Sequence, residues 1–600
     1  MPRAHEAIAR AVLDSPAFAA GLEAIAGKAG MAPDAARRHA EAALLELVCD
    51  HTAVSGFLLD RAVGGLYRRA WSYDVDWTAL ERLRRDHPDT SMVFLPSHRS
   101  YADAFVLMRA LLSRRLPPTY IVGGDNLKFF PLGAIGKRSG IIFIRRSFKD
   151  DDIYKLALRR YMHHLIVSGA NLEWYMEGGR SRTGKLRPPQ YGLLRYLVDA
   201  LQEAPGRDVL LVPVSITYDQ LQEVGAMAAE EAGGTKVKEG LGWLANYVRR
   251  QGDRVGQAHV RFGEPLSLRD TQAPGDAGAA RWTLDKVAFE VFHRINRATP
   301  VNATALVTLG LLGVETRSLA LREVHAVLQP LLDYAEARGL PTAALEGLRR
   351  PEGVEEVLAA LVRSGIVGRS GTGPDAVFHI EPGQHGVAAY YRNSAIHWFV
   401  TRAILELGVM VATRAGDGDA LARGLGAARA WRDLLKFEFF FSEKAEFEEE
   451  IAAEARLLHP GISMMVSGRA LPPSVLEGST FLVAHRILTP FLEAYRVLAE
   501  RLAALPPDKA VDRKVLLAEC LSAFRESAQQ GQLRHPESAS REILANGLAL
   551  AANRGLLGPG DAGLQERRQA LAAELAEAVG ALGAIGELDA RLRLGIPAPR

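Results

Sequence analysis

The stretch SMVFLPSHRSYADAFVLMRALL, residues 91 to 112, joins a short apolar run to a longer one through a polar centre. Residues 91–96 are few and mostly apolar, which predicts a buried β-strand, and a helix is expected to begin near Ser100. The polar residues 97–100 then lie at the carboxyl end of a strand, where α/β folds bind their ligands. We therefore expect an α/β domain with a functional site at this point.

Short β-rich runs and helical segments alternate on both sides of this stretch. The further runs are TYIVGG, GIIFIRR, NLEWYM, VLLVPVSITY and QAHVRFG, all between residues 119 and 263. Such alternation is typical of α/β folds. We predict a mixed sheet flanked by helices within an α/β domain at 73–300, a helical N-terminal region at 1–72 and a long helical C-terminal region at 301–600, which contains a short hairpin at 366–380.

Composition narrows the class of protein. A chain of 600 residues with 48% hydrophobic and 24% charged residues is globular and long enough for several domains. Its formal net charge of only +3 gives the protein no strong positive electrostatic field that would attract nucleic acid. We therefore do not expect nucleic acid as a partner. Cys49 and Cys520 form no metal-ligand cluster and fit a reducing, cytosolic-facing compartment. The first sixteen residues carry charges within their apolar part, unlike a signal peptide.

Three apolar segments leave two interpretations open. Residues 301–314 are too short to span a bilayer, and residues 394–413 carry His397, Arg402 and Glu406. Both segments fit either burial in a core or contact with a lipid surface. The same choice remains for the aromatic stretch FEFFFSEKAEF at 437–447.

His98 and Asp103 are the first candidate functional pair. If the helix begins near Ser100, Asp103 lies in its first turn and can accept a hydrogen bond from one imidazole nitrogen, which leaves the other free as a base. The alternative is an ordinary helix start, with Ser100 as the cap and Asp103 favoured by the helix dipole. This stretch alone leaves both interpretations open.

Basic residues follow two of the other predicted strands. Arg145 and Arg146 come directly after the apolar run GIIFI, and because adjacent strand residues point to opposite faces, at most one should enter a given pocket. The stretch NLEWYMEGGRSRTGKL, 171–186, combines three glycines with three cationic side chains, a composition suited to phosphate. It lacks the spacing of a Walker A loop, which disfavours a nucleoside triphosphatase. A solvated basic surface is the alternative for both segments.

The run VLLVPVSITYD, 209–219, completes a set of four blocks. It reads as a buried strand that ends in Thr217, Tyr218 and Asp219, which we expect to line the same pocket. The blocks SHRSYAD, GIIFIRRSF, YMEGGRSRTGKL and LVPVSITYD, in this order, resemble those of the glycerol-3-phosphate acyltransferases, the His-x4-Asp family. The likeness is strongest from about 91 to 268 and closest to the long, bacterial, membrane-associated branch that acylates the sn-1 position.

The resemblance implies a role for each matching residue. His98 corresponds to the general base and Asp103 to the residue that orients it. Pro213 corresponds to a proline linked to acyl-donor binding. Tyr101 replaces a histidine that is frequent in bacterial relatives, a change that should be tolerated. The positions that correspond to acceptor-phosphate binding are Arg145, Arg146, Glu177, Gly178, Gly179, Arg180, Ser181, Arg182 and Lys185.

The implied activity is transfer of a long-chain acyl group from acyl-CoA or acyl carrier protein to the sn-1 hydroxyl of glycerol-3-phosphate. In that reaction His98 removes the hydroxyl proton, and we expect a backbone N–H after the His98 strand to stabilise the oxyanion. No metal, other cofactor or covalent acyl-enzyme is required. The resemblance also implies a peripheral enzyme on the cytoplasmic side of the inner membrane, with a lipid surface as partner. Dihydroxyacetone phosphate as acceptor and an inactive lipid- or phosphate-binding scaffold are the competing hypotheses.

Overall fold

The computed structural model describes residues 4–49, 51, 71–117, 119–125, 132–145, 147–234, 256–272, 282–314, 318–414, 420–459, 462 and 474–594. The strands are β1 (Trp71–Val75), β2 (Ser91–Pro96), β3 (Thr119–Gly124), β4 (Ile141–Ile144), β5 (Asn171–Glu173), β6 (Val209–Tyr218), β7 (Gly256–Phe262), β8 (Leu266–Ser267), β9 (Val301–Asn302), β10 (Leu319–Ala320), β11 (Thr342–Ala343), β12 (Val367–Ser370) and β13 (Val377–Ile380).

The helices are α1 (Ala4–Leu13), α2 (Pro16–Ala29), α3 (Pro33–Leu47), α4 (Trp77–Asp86), α5 (Asp103–Ser113), α6 (Leu132–Arg138), α7 (Asp152–Val167), α8 (Gly192–Gln202), α9 (Val224–Glu231), α10 (Leu268–Gln272), α11 (Leu284–Ala298), α12 (Ala303–Leu312), α13 (Leu321–Ala337), α14 (Pro351–Arg363), α15 (His385–Ala395), α16 (His397–Arg414), α17 (Ala420–Leu435), α18 (Lys444–Leu458), α19 (Ser474–Glu477), α20 (Ala484–Ala503), α21 (Arg513–Gln529), α22 (Arg541–Asn553) and α23 (Ala562–Leu594). Short 3-10 turns lie at Glu346–Arg349, Gly373–Asp375 and Pro536–Ser538.

The chain forms two compact units. Among the described residues, those within 4–181, 186–218 and 256–299 belong to the first unit. Those within 182–185, 219–234 and 300–594 belong to the second. The N-terminal helices thus share a unit with the sheet, and two segments that precede residue 300 belong to the second unit. The three-part division drawn from the sequence stays a prediction.

The first unit is built on a mixed sheet with the order β1-β7-β6-β2-β5-β3-β4, in which β8 pairs with β6. Strand β2 runs parallel to β5 and β6, whereas β6 is antiparallel to β7. Every residue of β2 and β6 is buried. A central strand that is buried on both faces reads as a continuous apolar run, which explains SMVFLP and VLLVPVSITY. Helix α7 packs against α2, α3 and α8, and α11 packs on β6.

The second unit is mainly helical. Helices α20 and α23 pack together, as do α16 with α17 and α12 with α15. Strands β12 and β13 form an antiparallel hairpin, with Val367 opposite Ile380, and β10 adds to its edge. The predicted fold class, a mixed sheet with flanking helices followed by a long helical region, is confirmed, and so is the hairpin at 366–380.

The apolar segments whose placement was open bury many of their apolar side chains in the second unit, although Val411 and residues 443–446 are exposed. Residues Thr304–Leu312 of α12 are all buried, and Arg402 Nε donates to Glu406 Oε1 at 3.1 Å, a pair buried within α16. Phe439, Phe441 and Phe447 are also buried. Among the described residues, no single helix is both long enough and apolar enough to cross a membrane. Helices α15 and α16 have the required length and apolar composition only when taken together, and the chain bends by 91° between them.

Candidate active site

The site lies where three neighbouring strands end. Strands β5, β2 and β6 are adjacent and parallel, so their carboxyl ends meet at one edge of the sheet. His98 follows β2, the turn from Trp174 to Arg180 follows β5, and Tyr218 ends β6. This is the edge at which α/β sheets bind ligands.

His98 and Asp103 are in direct contact. Nδ1 of His98 lies 3.0 Å from Oδ2 of Asp103, whose side chain is fully buried, whereas the imidazole keeps 20% of its surface exposed. Because an ionised carboxylate only accepts, Nδ1 carries the proton and Nε2 is left as the acceptor. The arrangement expected from the sequence is therefore present.

Asp103 also holds the loop that carries His98. The backbone N–H groups of Arg99 and Ser100 donate to Oδ2 at 2.7 and 2.9 Å, and the Tyr218 hydroxyl donates to Oδ1 at 2.7 Å. Helix α5 begins at Asp103 and has no side-chain cap. Part of the alternative from the sequence is also present, because Ser100 Oγ accepts from the Ala102 N–H at 3.1 Å in the turn before the helix and Asp103 lies in the first helical turn. Both carboxylate oxygens of Asp103 also orient the loop.

Glu177 joins the third block to the His98 loop. Its Oε1 accepts from the His98 backbone N–H at 2.7 Å, and its Oε2 accepts from the Arg187 N–H at 3.0 Å. The side chain is fully buried, which raises its pKa to about 7, although nearby Arg99 and the two backbone donors oppose this rise. Ser181 adds a backbone hydrogen bond of 2.8 Å to the His98 carbonyl. Glu177 therefore positions backbone, and its predicted place in a phosphate site stays a prediction.

The two glycines after Glu177 allow the chain to turn tightly. Gly178 has a φ of 64°, and a Cβ there would lie 2.9 Å from Cγ of Gln190. A Cβ at Gly179 would lie 2.9 Å from Nη1 of Arg187. Gly178 thus favours glycine because of its left-handed backbone conformation, whereas at Gly179 the nearest atom is the end of a flexible side chain that can move aside.

Arg180 lies against Tyr101 at the same edge. Its Nη2 donates to the Tyr101 hydroxyl at 2.6 Å, and its guanidinium carbon lies 3.5 Å from the centre of the ring. The contact is a hydrogen bond combined with a cation–π interaction. Tyr101 lies on the loop between His98 and Asp103, so this contact ties the Arg180 guanidinium to that loop.

Arg145 occupies a different part of the sheet. It follows β4, the edge strand, which is three strands from β2 and so about 14 Å away at the usual strand spacing. Its Nε and Nη2 donate to Oε2 of Glu46 at 3.1 and 2.7 Å, and its Nη1 donates to Oδ2 of Asp151 at 3.0 Å. Arg146 lies outside the described residues.

Arg182 and Lys185 are held within the second unit. Arg182 pairs with Glu230 at 3.2 Å, and Lys185 forms a buried ion pair with Glu438. The Lys185 ammonium also lies 4.4 Å from the centre of the Phe491 ring. These two cationic groups already have acidic partners, and their predicted role in phosphate binding stays a prediction.

Comparison with known proteins identifies the family. A family model described as "Acyltransferase" matches residues 74–217, and one described as "Glycerol-3-phosphate acyltransferase C-terminal region" matches residues 227–560. Two relatives named "Putative acyltransferase plsB1", from Mycobacterium bovis and Mycobacterium tuberculosis, are each 40% identical over 588 residues, 97% of this chain and 94% of theirs. The chain belongs to the glycerol-3-phosphate acyltransferase family.

As a member of this family, the protein is an enzyme that acylates glycerol-3-phosphate. The Acyltransferase match contains β2 to β5 and the His98–Asp103 pair. Pro213 lies inside this match, buried in β6 opposite Leu95, and its carbonyl accepts from the Gly263 N–H at 2.8 Å. Its link to the acyl donor stays a prediction.

Sequence reasoning missed two residues of this site, Glu173 and Tyr175. Glu173 ends β5 and is fully buried, and the Tyr175 ring lies against the His98 imidazole at 4.2 Å between ring centres. A signal was present, because a glutamate inside the run NLEWYM is a charged residue where a buried strand is predicted. Such a position is rarely tolerated without a specific partner.

Proposed function

We propose that this enzyme transfers a long-chain acyl group from acyl-CoA or acyl carrier protein to the sn-1 hydroxyl of glycerol-3-phosphate. The product is 1-acylglycerol-3-phosphate, and the step is the first of phospholipid synthesis. The observation that carries the proposal is the contact between His98 and Asp103, which leaves Nε2 of a partly exposed imidazole as an acceptor at the edge of the sheet.

In the proposed reaction His98 acts as general base. Nε2 takes the proton of the sn-1 hydroxyl while its oxygen attacks the thioester carbonyl, and the tetrahedral intermediate then expels the thiolate. The imidazolium returns its proton to the leaving sulfur. Asp103 keeps Nδ1 protonated and stabilises the imidazolium, as a buried carboxylate does in a catalytic triad. Neither a metal nor a covalent acyl-enzyme enters this sequence.

The acceptor phosphate needs a cation near the base. Arg180 supports this role because it is anchored on Tyr101, within the loop that joins His98 to Asp103. Binding the phosphate there holds the sn-1 hydroxyl within reach of the imidazole, and such positioning lowers the barrier through entropy. Arg145 would reach the same phosphate only across the spacing of three strands.

The oxyanion donor expected from the sequence, a backbone N–H after the His98 strand, stays a prediction. The backbone N–H groups of residues 97–100 already have partners within the protein. Ser97 N–H donates to the Val214 carbonyl, His98 N–H to Glu177, and the next two to Asp103. All four help to build the loop, so we propose that the oxyanion donor lies outside residues 97–100.

We also propose a peripheral location at the cytoplasmic face of the inner membrane. The acyl product partitions into lipid, whereas the phosphate-bearing acceptor stays in water, so an enzyme at the interface meets both. Acyl-CoA and acyl carrier protein are both soluble donors. The free-energy gain of leaving the product in the bilayer is about 0.8 kcal/mol for each buried methylene group.

The test is acyl transfer by the purified full-length chain in detergent or lipid. Glycerol-3-phosphate and dihydroxyacetone phosphate are compared as acceptors, with a long-chain acyl-CoA and the matching acyl carrier protein as donors. We expect product acylated on the sn-1 oxygen and a loss of about 10²–10⁴-fold in kcat for His98→Ala. Asp103→Asn should lose activity with little change in the KM for glycerol-3-phosphate.

Three outcomes would contradict the proposal. Substantial transfer by a folded His98→Ala variant would exclude His98 as the base. A preference for dihydroxyacetone phosphate would show that glycerol-3-phosphate is not the main acceptor. Acylation at the sn-2 oxygen would overturn the proposed sn-1 regiochemistry. Circular dichroism and the thermal midpoint of each variant establish that it is folded.

A further inference from the structure

A buried carboxyl group lies behind the candidate base and has no part in the proposed reaction. Glu173 is fully buried at the end of β5, where it is paired with Phe94 of β2 and Ile121 of β3. Its Oε1 accepts a hydrogen bond of 2.9 Å from the Tyr175 hydroxyl. Its Oε2 has no hydrogen-bond partner among the described residues. A carboxyl group in such a place needs an explanation, since burying it costs free energy.

Its surroundings favour the neutral form of the Glu173 carboxyl. Burial raises its pKa to about 8, the Tyr175 hydroxyl opposes this rise, and the negative charge of Asp103 adds to it. Burial also raises the pKa of Tyr175 well above its usual value. Burial thus favours the protonated forms of both groups, which limits the negative charge in the interior behind His98.

Tyr175 connects this carboxyl to the imidazole. Its hydroxyl is fixed by Glu173, and its ring faces His98 with 4.2 Å between ring centres and 35° between ring planes. A cation within about 6 Å of the centre of a tyrosine ring is attracted by the ring quadrupole. The imidazole carries such a charge at the point in the proposed reaction when it holds the proton of the acceptor.

We propose that Tyr175, anchored by Glu173, is the positioning residue that fixes the plane of the His98 ring and stabilises its protonated form. The proposal rests on the proposed function of His98 as base. Asp103 controls the imidazole from its edge through Nδ1, and Tyr175 controls it from its face. Together they leave the ring one orientation, with Nε2 directed at the acceptor.

The experiment compares variants that keep or remove each part of this chain of contacts. Tyr175→Leu removes the ring, Tyr175→Phe keeps the ring and removes the hydroxyl, and Glu173→Leu removes the anchor. We expect kcat to fall by about 10–100-fold for Tyr175→Leu and by less for the other two, with the KM for glycerol-3-phosphate changed less than about twofold. Glu173→Gln keeps a neutral hydrogen-bond acceptor, so its kcat should fall less than that of Glu173→Leu.

Non-additivity is the sharper readout. If Glu173 acts only through Tyr175, the double variant Glu173→Leu/Tyr175→Phe should lose no more kcat than the greater of its two single losses. Losses that multiply in the double variant would overturn the proposal. A Tyr391→Phe variant is the control, because it removes a buried hydroxyl that contacts Leu221 within the second unit.

A second measurement does not depend on acyl transfer. Carbethoxylation of His98, followed by peptide mass spectrometry across pH, reports the protonation of that ring alone. The groups that face it are Asp103 at Nδ1 and Tyr175 at its face, while Glu177 contacts its backbone. Tyr175→Leu should move the midpoint of modification to lower pH, since the imidazolium loses its aromatic partner. An unchanged midpoint and unchanged kcat in the folded variant would overturn the proposal, even if the enzyme proves to use another acceptor.

Discussion

Tyr218, the last residue of β6, donates a hydrogen bond of 2.7 Å to Oδ1 of Asp103, which lies 115 residues away in the sequence. Asp103 therefore receives donors on both oxygens, and His98 meets a carboxylate with one fixed orientation. The Trp71 ring packs on Tyr218 at 5.2 Å between centres and keeps the phenol in place. The pair at the end of β2 is thus held by the strand next to it.

Tyr218→Phe should lower kcat by about tenfold while the KM for glycerol-3-phosphate changes little. A hydrogen bond to a charged group contributes about 1.5–3 kcal/mol, and each 1.4 kcal/mol is worth about tenfold in rate. Steady-state kinetics at saturating acyl donor measure the effect. Tyr391→Phe is the matched control for the loss of a buried hydroxyl. Equal kcat in the two variants would mean that Asp103 does not need Tyr218.

Part of this architecture follows from the sequence. Strands β2 and β6 lie where the apolar runs predicted them, because a strand buried on both faces leaves a continuous apolar signature. The contact between His98 and Asp103 was also predictable, since the two residues lie within one strand-to-helix turn.

The partners that arrive from distant segments were not predictable. Arg145 looked like a basic strand end available for phosphate, yet Glu46, 99 residues earlier, accepts two of its hydrogen bonds. Lys185 belonged to the most specific basic block, yet its ammonium pairs with Glu438, 253 residues later. A single sequence shows which charges exist but not which pairs form, because pairing depends on strand order and helix packing.

Releasing Arg145 should strengthen acceptor binding if this arginine contacts the phosphate. Glu46→Gln keeps the size of the side chain and removes its charge, so we expect the KM for glycerol-3-phosphate to fall by about 2–5-fold, the range of a partly exposed ion pair. Glu81→Gln is the control, since it breaks a pair of the same kind with Arg114. A lower thermal midpoint with an unchanged KM would show that Arg145 only ties α3 to the sheet.

The contact between Tyr101 and Arg180 predicts an effect on KM. Tyr101→Leu removes both the hydroxyl and the ring, so the guanidinium loses its placement and the KM for glycerol-3-phosphate should rise by about 3–10-fold, as expected for a cation–π contact and one hydrogen bond. The KM for glycerol-3-phosphate should rise less in Tyr101→Phe, because this variant keeps the ring. Tyr73→Leu removes the ring beneath Arg109 and is the control. A fall in kcat with no change in KM would contradict this assignment.

The neutral Glu173 carboxyl predicts a dependence of stability on pH. Between about pH 4.5 and 8 the unfolded chain has released this proton while the folded chain keeps it, so the free energy of unfolding falls as the pH rises, by up to about 1.4 kcal/mol for each pH unit. Glu173→Gln lacks this contribution. Its thermal midpoint should therefore change less between about pH 5.5 and 7.5 than that of the parent chain. Parallel changes in the two proteins would mean that Glu173 is ionised when folded.

Gly184 predicts a purely steric loss of stability in the second unit. Its φ is 84°, and a Cβ there would lie 1.9 Å from the Tyr390 carbonyl oxygen. Gly184→Ala should therefore lose more stability than the left-handed conformation alone costs, which is about 1–2 kcal/mol. Its thermal midpoint should fall accordingly. Gly383→Ala isolates that cost, because Gly383 has a φ of 81° and no heavy atom within 4 Å of the added Cβ. If both variants lose the same stability, the segment 182–185 does not pack against Tyr390 as the structure shows.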